Sequence, residues 1–261
     1  MKLAFAKPDI QLTAINDSPV ENGLPTLRAL DLVKVNGQVT NEAGQIITDY
    51  NGTLAVTLFD KEIDRQTLGN DGVRNNVGEL LILDFKTLGP ILYRGQASVE
   101  NGFFEFTFRM PRDTAIPVGN GRLNFYSERT GVLEDQTGVN TDVLIGGLNE
   151  NAPVDNEGPI INLFLNDESF VNGGITNNGP IILAKLEDEN GINTASGIGH
   201  DIIAIIDGDE ENPIIMNEFY ETEIDDFTRG TATRKIRDLE PGLHTLTFRA
   251  WDVYNLSLIH I

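Results

Sequence analysis

The side chains best equipped for chemistry in this chain are carboxylates. Acids stand next to one another at Glu187-Asp188-Glu189, Asp209-Glu210-Glu211 and Asp225-Asp226. Glycoside hydrolysis needs two carboxyl groups facing each other across a cleft, which adjacent acids in acidic loops do not supply. Such runs read first as solvated surface. Calcium is the alternative that uses them, because it accepts about six to eight oxygens at flexible angles and so suits acidic loops between β elements. The candidate ligands for a structural calcium are Asp155, Asp167, Asp188, Asp207, Asp209 and Asp252. No complete EF-hand loop is present: Asp188-Glu189-Asn190-Gly191 lacks the spacing and the distal bidentate Glu.

Other chemistries find less support. The chain has no cysteine, which removes disulfides, thiolate metal sites and a cysteine nucleophile together. A serine triad needs a base and an orienting acid, and His200 and His244 are the credible bases. There is no Gly-x-Ser-x-Gly elbow. His244 alternates with Leu246 and Phe248, so a packed or edge position is expected for it. His200 precedes the apolar run Ile202–Ile206 and reads as a strand-entry residue. Gly197-Ile198-Gly199 is too short for a dinucleotide fingerprint. Trp251, the single tryptophan, reads as a core or domain-contact residue. No catalytic and no cofactor-binding residue is assigned.

Charge narrows the partners. There are 40 acidic residues against 19 basic ones, a formal net charge of −21 in 261 residues. Such a surface repels phosphate backbones and anionic headgroups, so nucleic acid is not an expected partner. Apolar residues make up 40% of the chain, enough for a packed core. No apolar run approaches the roughly 20 residues that span a bilayer, so no transmembrane segment is expected. Residues 1–8 do not form a signal peptide.

The elements that must position these side chains are strands. Asn-Gly recurs at Asn22-Gly23, Asn36-Gly37, Asn51-Gly52, Asn101-Gly102 and further on, and Asp-Gly at Asp71-Gly72 and Asp207-Gly208. These pairs accept the positive φ of tight hairpins. Between them, Phe104, Phe106, Phe108 and Met110 alternate with Glu105, Thr107 and Arg109, and Leu54, Val56 and Leu58 alternate with Thr53, Ala55 and Thr57. A two-residue period describes a strand with one buried face. Met216 to Phe227 carries acids on every face and reads as a strand end and a loop. The polar stretch Gly146 to Pro159, GGLNENAPVDNEGP, marks a linker. The expectation is an all-β chain of two immunoglobulin-like β-sandwich modules in tandem. Its parts are a lead-in over 1–29, a first module over 30–147, a linker over 148–158, a second module over 159–255, and an artefactual tail over 256–261.

Particular phrases carry a resemblance. Lys2-Leu3-Ala4-Phe5 with Lys7-Pro8 is similar to the chain just past the catalytic domain of gingipain-type cysteine peptidases. Gly95-Gln96-Ala97-Ser98-Val99, Asp155-Asn156-Glu157-Gly158-Pro159, Phe170-Val171-Asn172-Gly173-Gly174-Ile175-Thr176, Asp188-Glu189-Asn190-Gly191-Ile192-Asn193, Gly197-Ile198-Gly199-His200-Asp201 and Trp251-Asp252-Val253-Tyr254-Asn255 together resemble the type IX secretion sortases of the Bacteroidota. The resemblance spans about Lys2 to Asn255. It implies a parent protein, exported to the cell surface and outer membrane of a Gram-negative bacterium, that cleaves C-terminal sorting signals from secreted cargo. The cysteine and histidine of that chemistry lie upstream and have no matching position here. Implied partners are the upstream peptidase domain, the cargo, and an outer-membrane protein, PorV.

Two functions follow as expectations. The first is a non-catalytic accessory or scaffold region of such a sortase. The second is a carbohydrate- or adhesin-type surface binding module, with Phe219, Tyr220 and Phe227 as its exposed aromatics. An aromatic platform would favour the second, and burial of those rings the first. A stand-alone hydrolase lacks a nucleophile and base.

Overall fold

A computed structural model of the chain describes residues 10–195 and 199–260. The phrases at Lys2–Pro8, and Gly197 and Ile198 of the histidine-preceding glycine motif, lie outside the described residues. The fold is all-β, as expected: among the described residues there are strands and two single 3₁₀ turns, and no α-helix.

The amino-terminal unit contains β1 (Ile10–Ile15), β2 (Ser18–Pro19), β3 (Thr26–Ala29), β4 (Leu32–Val39), β5 (Gly52–Phe59), β6 (Ile63–Gln66), β7 (Asp84–Thr87), β8 (Ile91–Glu100), β9 (Phe103–Arg109), β10 (Gly119–Asn120), β11 (Arg122–Arg129), β12 (Asp135–Asn140) and β13 (Leu144–Leu148). The carboxy-terminal unit contains β14 (Ile160–Leu165), β15 (Ile181–Glu187), β16 (Ile203–Ile206), β17 (Ile214–Ile215), β18 (Tyr220–Glu223), β19 (Asp226–Lys235), β20 (Leu246–Trp251) and β21 (Ser257–His260).

An eight-stranded sheet in the order β12-β11-β5-β8-β9-β4-β1-β2 dominates the first unit, beside the short sheet β10-β13-β3. The alternating residues fill its core: Leu54, Val56, Leu58, Phe104, Phe106, Phe108 and Met110 are all buried in one cluster. The large sheet curls until its ends approach. A methyl on Gly138 of β12 would stand 2.2 Å from the carbonyl oxygen of Ile10 in β1, so only glycine fits there. Residues 10–29 were expected as a lead-in. Instead they supply β1, β2 and β3 to this unit. Their membership depends on distant partners: β1 pairs antiparallel with β4, and β3 pairs parallel with β13. Local periodicity does not record such pairing.

The second unit pairs two four-stranded sheets, β14-β15-β19-β18 and β17-β16-β20-β21. Ile182, Ala184, Leu186, Ala204, Tyr220, Ala232, Phe248 and Ala250 lie between them. The segment Met216–Phe227, read as a strand end and loop, instead holds a 3₁₀ turn, all of β18 and the start of β19. Its acids alternate with buried Tyr220 and Thr222, which a helical wheel cannot reveal. Residues 257–260, expected within an artefactual tail, pair antiparallel along β20.

One feature of the amino-terminal unit projects from its core. Residues 61–90 form an arm built on the β6–β7 hairpin, with Leu68, Val77, Leu83 and Phe85 exposed. None of its residues between 63 and 88 belongs to a hydrophobic core cluster. Replacing Asp64–Lys86 by Asn-Gly keeps the facing pair Ile63 and Thr87 and supplies a two-residue hairpin turn. The shortened chain is expected to melt within about 2 °C of the parent by circular dichroism, because stability changes follow buried contacts.

Candidate metal centre at the junction of the two units

The two units meet along an unfinished sheet edge. β8 pairs with β9 only at Val99 and Glu100, after which β9 continues with β4 alone. The edge of β8 before Val99 therefore presents backbone groups without a strand partner, and unpaired buried N–H groups are costly. The second unit supplies the partners. Thr222 Oγ1 accepts from Gln96 N at 2.9 Å, Asp225 Oδ1 accepts from Ser98 N at 2.7 Å, and Asp225 N donates to Gln96 O at 3.2 Å. Gln96 and Ile224 form a parallel bridge. Asp225 sits at φ +63°, a left-handed conformation that Asp and Asn tolerate.

A first-unit carboxylate is gripped nearby by three second-unit side chains. Asp113 Oδ2 accepts from Asn193 Nδ2 at 2.9 Å and lies 2.9 Å from His200 Nδ1, while Asp113 Oδ1 accepts from Asn255 Nδ2 at 2.8 Å. Arg112 N donates to Val253 O at 2.8 Å. Leu30, Val253 and Tyr254 bury one another, with Ala152 of the linker and Leu256 against them. His200 packs edge-on against Trp251, with centroids 4.7 Å apart. His200 precedes β16, and Trp251, half-buried in β20, belongs to neither main core cluster, contrary to the core or domain-contact position read for it.

Behind this contact three of the six candidate calcium ligands converge. Asp155 comes from the linker, Asp188 follows β15, and Asp252 follows β20. Each offers a carboxylate oxygen, and these oxygens lie within 4.8 Å of one another. Local hydrogen bonds aim them. Asp252 Oδ1 accepts from Tyr254 N at 2.9 Å and from Leu256 N at 2.8 Å. Asp188 Oδ1 accepts from Asn190 N at 2.8 Å and Gly191 N at 3.0 Å. Asp155 Oδ1 accepts from Glu157 N at 3.1 Å, and its Oδ2 accepts from Asn190 Nδ2 at 2.7 Å. Gly191, at φ +101°, lets the Asp188 loop fold back, and its N–H also donates to Asp188 O. The loops after β15 and β20 are themselves tied: Val253 N donates to Gly191 O, and Asn193 N to Trp251 O.

The site is buried and negative. Asp252 is 0% exposed and Asp188 7% exposed. Burial pushes the Asp252 carboxyl up to about 7, with repulsion from Asp188 and Asp155 adding to it and the Leu256 and Tyr254 N–H groups opposing it. Burial likewise pushes Asp188 up to about 6, against the Asn190 and Gly191 N–H groups and with Asp155 and Glu189 adding to the rise. Among the described residues no Lys, Arg or His forms an ion pair with any of the three. Three oxygen donors of this kind could hold a hard cation.

The other three candidates lie elsewhere. Asp167 caps an exposed turn by accepting from Ser169, whose hydroxyl and N–H hold its carboxyl below the usual range. Asp209 accepts from Asn212 in an exposed turn. Asp207 accepts from Thr245 N at 2.9 Å and lies 2.8 Å from His244 Nδ1. His244 was expected on the apolar face of its strand. It is exposed, because β20 begins only at Leu246, and its Nε2 is held 2.7 Å from Glu240 O. That contact, then Asp207, raises the imidazole above its ordinary value. Both ring nitrogens are thereby engaged, with no serine at either. The joining role of Asp113 was missed from sequence, where a lone Asp gives no signal.

The fold and site together define a two-core, all-β unit with no assembled nucleophile among the described residues. No protein-family model matches the chain, and no curated protein does. A solved structure does: the crystal structure of dimeric latent PorU from Porphyromonas gingivalis is similar at 30% sequence identity and a TM-score of 0.55, over 97% of this chain and 24% of that one. The chain thus has a PorU-related fold and spans about a quarter of that neighbour's length.

Two outcomes are expected from this geometry. Asp225→Asn retains an acceptor for Ser98 N and tolerance of positive φ, so it should unfold near the parent in urea. Asp225→Ala loses both and should cost roughly 1–3 kcal/mol. The second concerns pH with a chelator present. Asp252 and Asp188 have folded values above the unfolded 3.8, so between about pH 4 and 7 the folded chain holds protons that the unfolded chain has released. Stability then falls as pH rises, by up to about 1.4 kcal/mol per pH unit for each such proton. His244, raised from 6.5, adds stability at low pH that is also lost on raising the pH. Melting temperature should therefore drop between about pH 4 and 7, and Asp252→Asn should flatten much of that slope.

Proposed function

We propose that this chain is a non-catalytic accessory region of a type IX secretion sortase. The parent protein, in this reading, is exported to the bacterial surface and acts there as a cysteine peptidase on the C-terminal sorting signals of secreted cargo. The region spaces that peptidase domain from the membrane and from the outer-membrane partner PorV. The observation that carries the reading is the PorU-related fold along 97% of the chain at 30% identity. The junction supports it as well. Hydrogen bonds from Gln96 N and Ser98 N of β8 to Thr222 and Asp225, and from Asn193 and Asn255 to Asp113, fix one unit against the other in a defined register. A spacer needs such a register.

The three rings named as a carbohydrate platform do not form one. Tyr220 is fully buried, Phe227 packs against the first-unit core, and Phe219 alone is exposed, beneath the Arg234 guanidinium at 4.6 Å. Sugar-binding faces depend on accessible rings.

The test is genetic and enzymatic. The native locus is expected to encode a peptidase domain with a cysteine and a histidine upstream of this region. Excising residues 10–255 from that gene should leave cargo with its sorting signal uncleaved. The isolated chain should not hydrolyse a sorting-signal peptide. Normal cargo processing after excision, or hydrolysis by the isolated chain, would sink the reading.

A further inference from the structure

The Asp155–Asp188–Asp252 cluster has one property that a solvated acidic loop lacks. Asp252 is 0% exposed, and its Oδ2 has no hydrogen-bond partner. A buried carboxylate oxygen left without a donor is among the most costly groups a fold can contain. The other oxygen of the same carboxylate is fully engaged by Tyr254 N and Leu256 N, so the group cannot rotate away without breaking the turn. Asp188 shares this arrangement: its Oδ1 is held by two backbone N–H groups in a buried loop. Both carboxylates are therefore fixed in place, pointing at a common space that also receives Asp155.

We infer that Asp155, Asp188 and Asp252 bind a calcium ion that fastens the linker to the second unit. Two oxygens bound at about 2.3–2.6 Å to one calcium can lie as far as about 5 Å apart, and the three oxygens here lie within 4.8 Å of one another. All donors are hard oxygens, the set that calcium prefers and that zinc or copper would not select. The ion supplies the missing partner of Asp252 Oδ2 and neutralises the mutual repulsion. It also crosslinks three loops far apart in sequence, one of them the linker. That linker runs closely over the β20–β21 turn, where a methyl on Gly158 would stand 3.1 Å from the backbone of Ser257. The inference concerns this chain's own stability and does not depend on the sortase reading.

The experiment uses the whole chain, stripped with a chelator and then supplied with calcium chloride. Calcium at about 1 mM should raise the melting temperature by more than about 3 °C, as expected for a ligand well above its dissociation constant that binds only the folded state. Calcium should also slow cleavage within residues 149–158 by a nonspecific protease several-fold. Asp252→Asn keeps an acceptor for both N–H groups of its turn and removes a buried charge. Without calcium it should melt no lower than the parent, and it should lose most of the calcium response. Asp155→Asn, in the less buried linker, serves as the second variant in case Asp252→Asn misfolds, and should lose the proteolytic protection. A parent shift smaller than about 3 °C, absence of protection, or a response in either folded variant equal to the parent's would overturn the inference.

Discussion

One buried carboxylate organises the turn through which the second unit meets Leu30, Arg112 and Asp113 of the first. Asp252 Oδ1 accepts from Tyr254 N and Leu256 N and so folds residues 252–256 into a turn. Every residue of that turn then contacts something different. Val253 O receives Arg112 N from the first unit. Val253 and Tyr254 bury Leu30, and the Arg109 guanidinium lies over the Tyr254 ring at 5.9 Å. Asn255, at φ +68°, turns its amide to Asp113. Leu256 and Ala152 of the linker pack against the same cluster. The Asp252 side chain thus reinforces a turn that backbone bonds from Asn255 N to Asp252 O and from Asp252 N to Leu256 O also close.

The same turn explains where charge has accumulated. An asparagine could accept the two N–H groups without bringing a charge into the interior. Aspartate adds a second oxygen and a charge, and here it stands beside two further acids. In a chain with 40 acidic and 19 basic residues most carboxylates are simply solvated, as Asp167 and Asp209 are. Asp155, Asp188 and Asp252 differ because the backbone fixes two of them in a buried space. Desolvation and mutual repulsion then act together. Composition can hide such a site, since a surface rich in acids makes any individual aspartate look ordinary.

How much of this is visible before folding differs from element to element. The Phe104–Met110 and Leu54–Leu58 faces are legible because a two-residue period needs only the residues of the strand itself, and all of them reach the first core. β1 and β3 are not legible, because their place is set by β4 and β13 across long stretches of chain. β18 is concealed by its acids, since Glu221 and Glu223 face solvent while Tyr220 and Thr222 face inward. The metal candidates were named by chemistry alone. Only three-dimensional pairing of the loops after β15 and β20 could separate Asp155, Asp188 and Asp252 from Asp167, Asp207 and Asp209. Asp113 shows the limit most plainly, because its three donors are side chains distant in sequence.

The way the units are joined bears on what the joint can do. Apolar contact alone tolerates sliding, since it is non-directional. Backbone edges and carboxylates do not, because a hydrogen bond weakens steeply when misaligned. Here Gln96 and Ser98 of β8 are matched to Thr222 and Asp225, and Asp113 is matched to Asn193 and Asn255. Two tyrosines reinforce the register. Tyr93 folds over Gly95, where a methyl would stand 1.9 Å from its hydroxyl, and Tyr220 folds over Gly230, where a methyl would stand 2.5 Å from its ring. Each ring needs a glycine beneath it, so a side chain larger than hydrogen at either glycine would displace a buried tyrosine. A joint made this way transmits position.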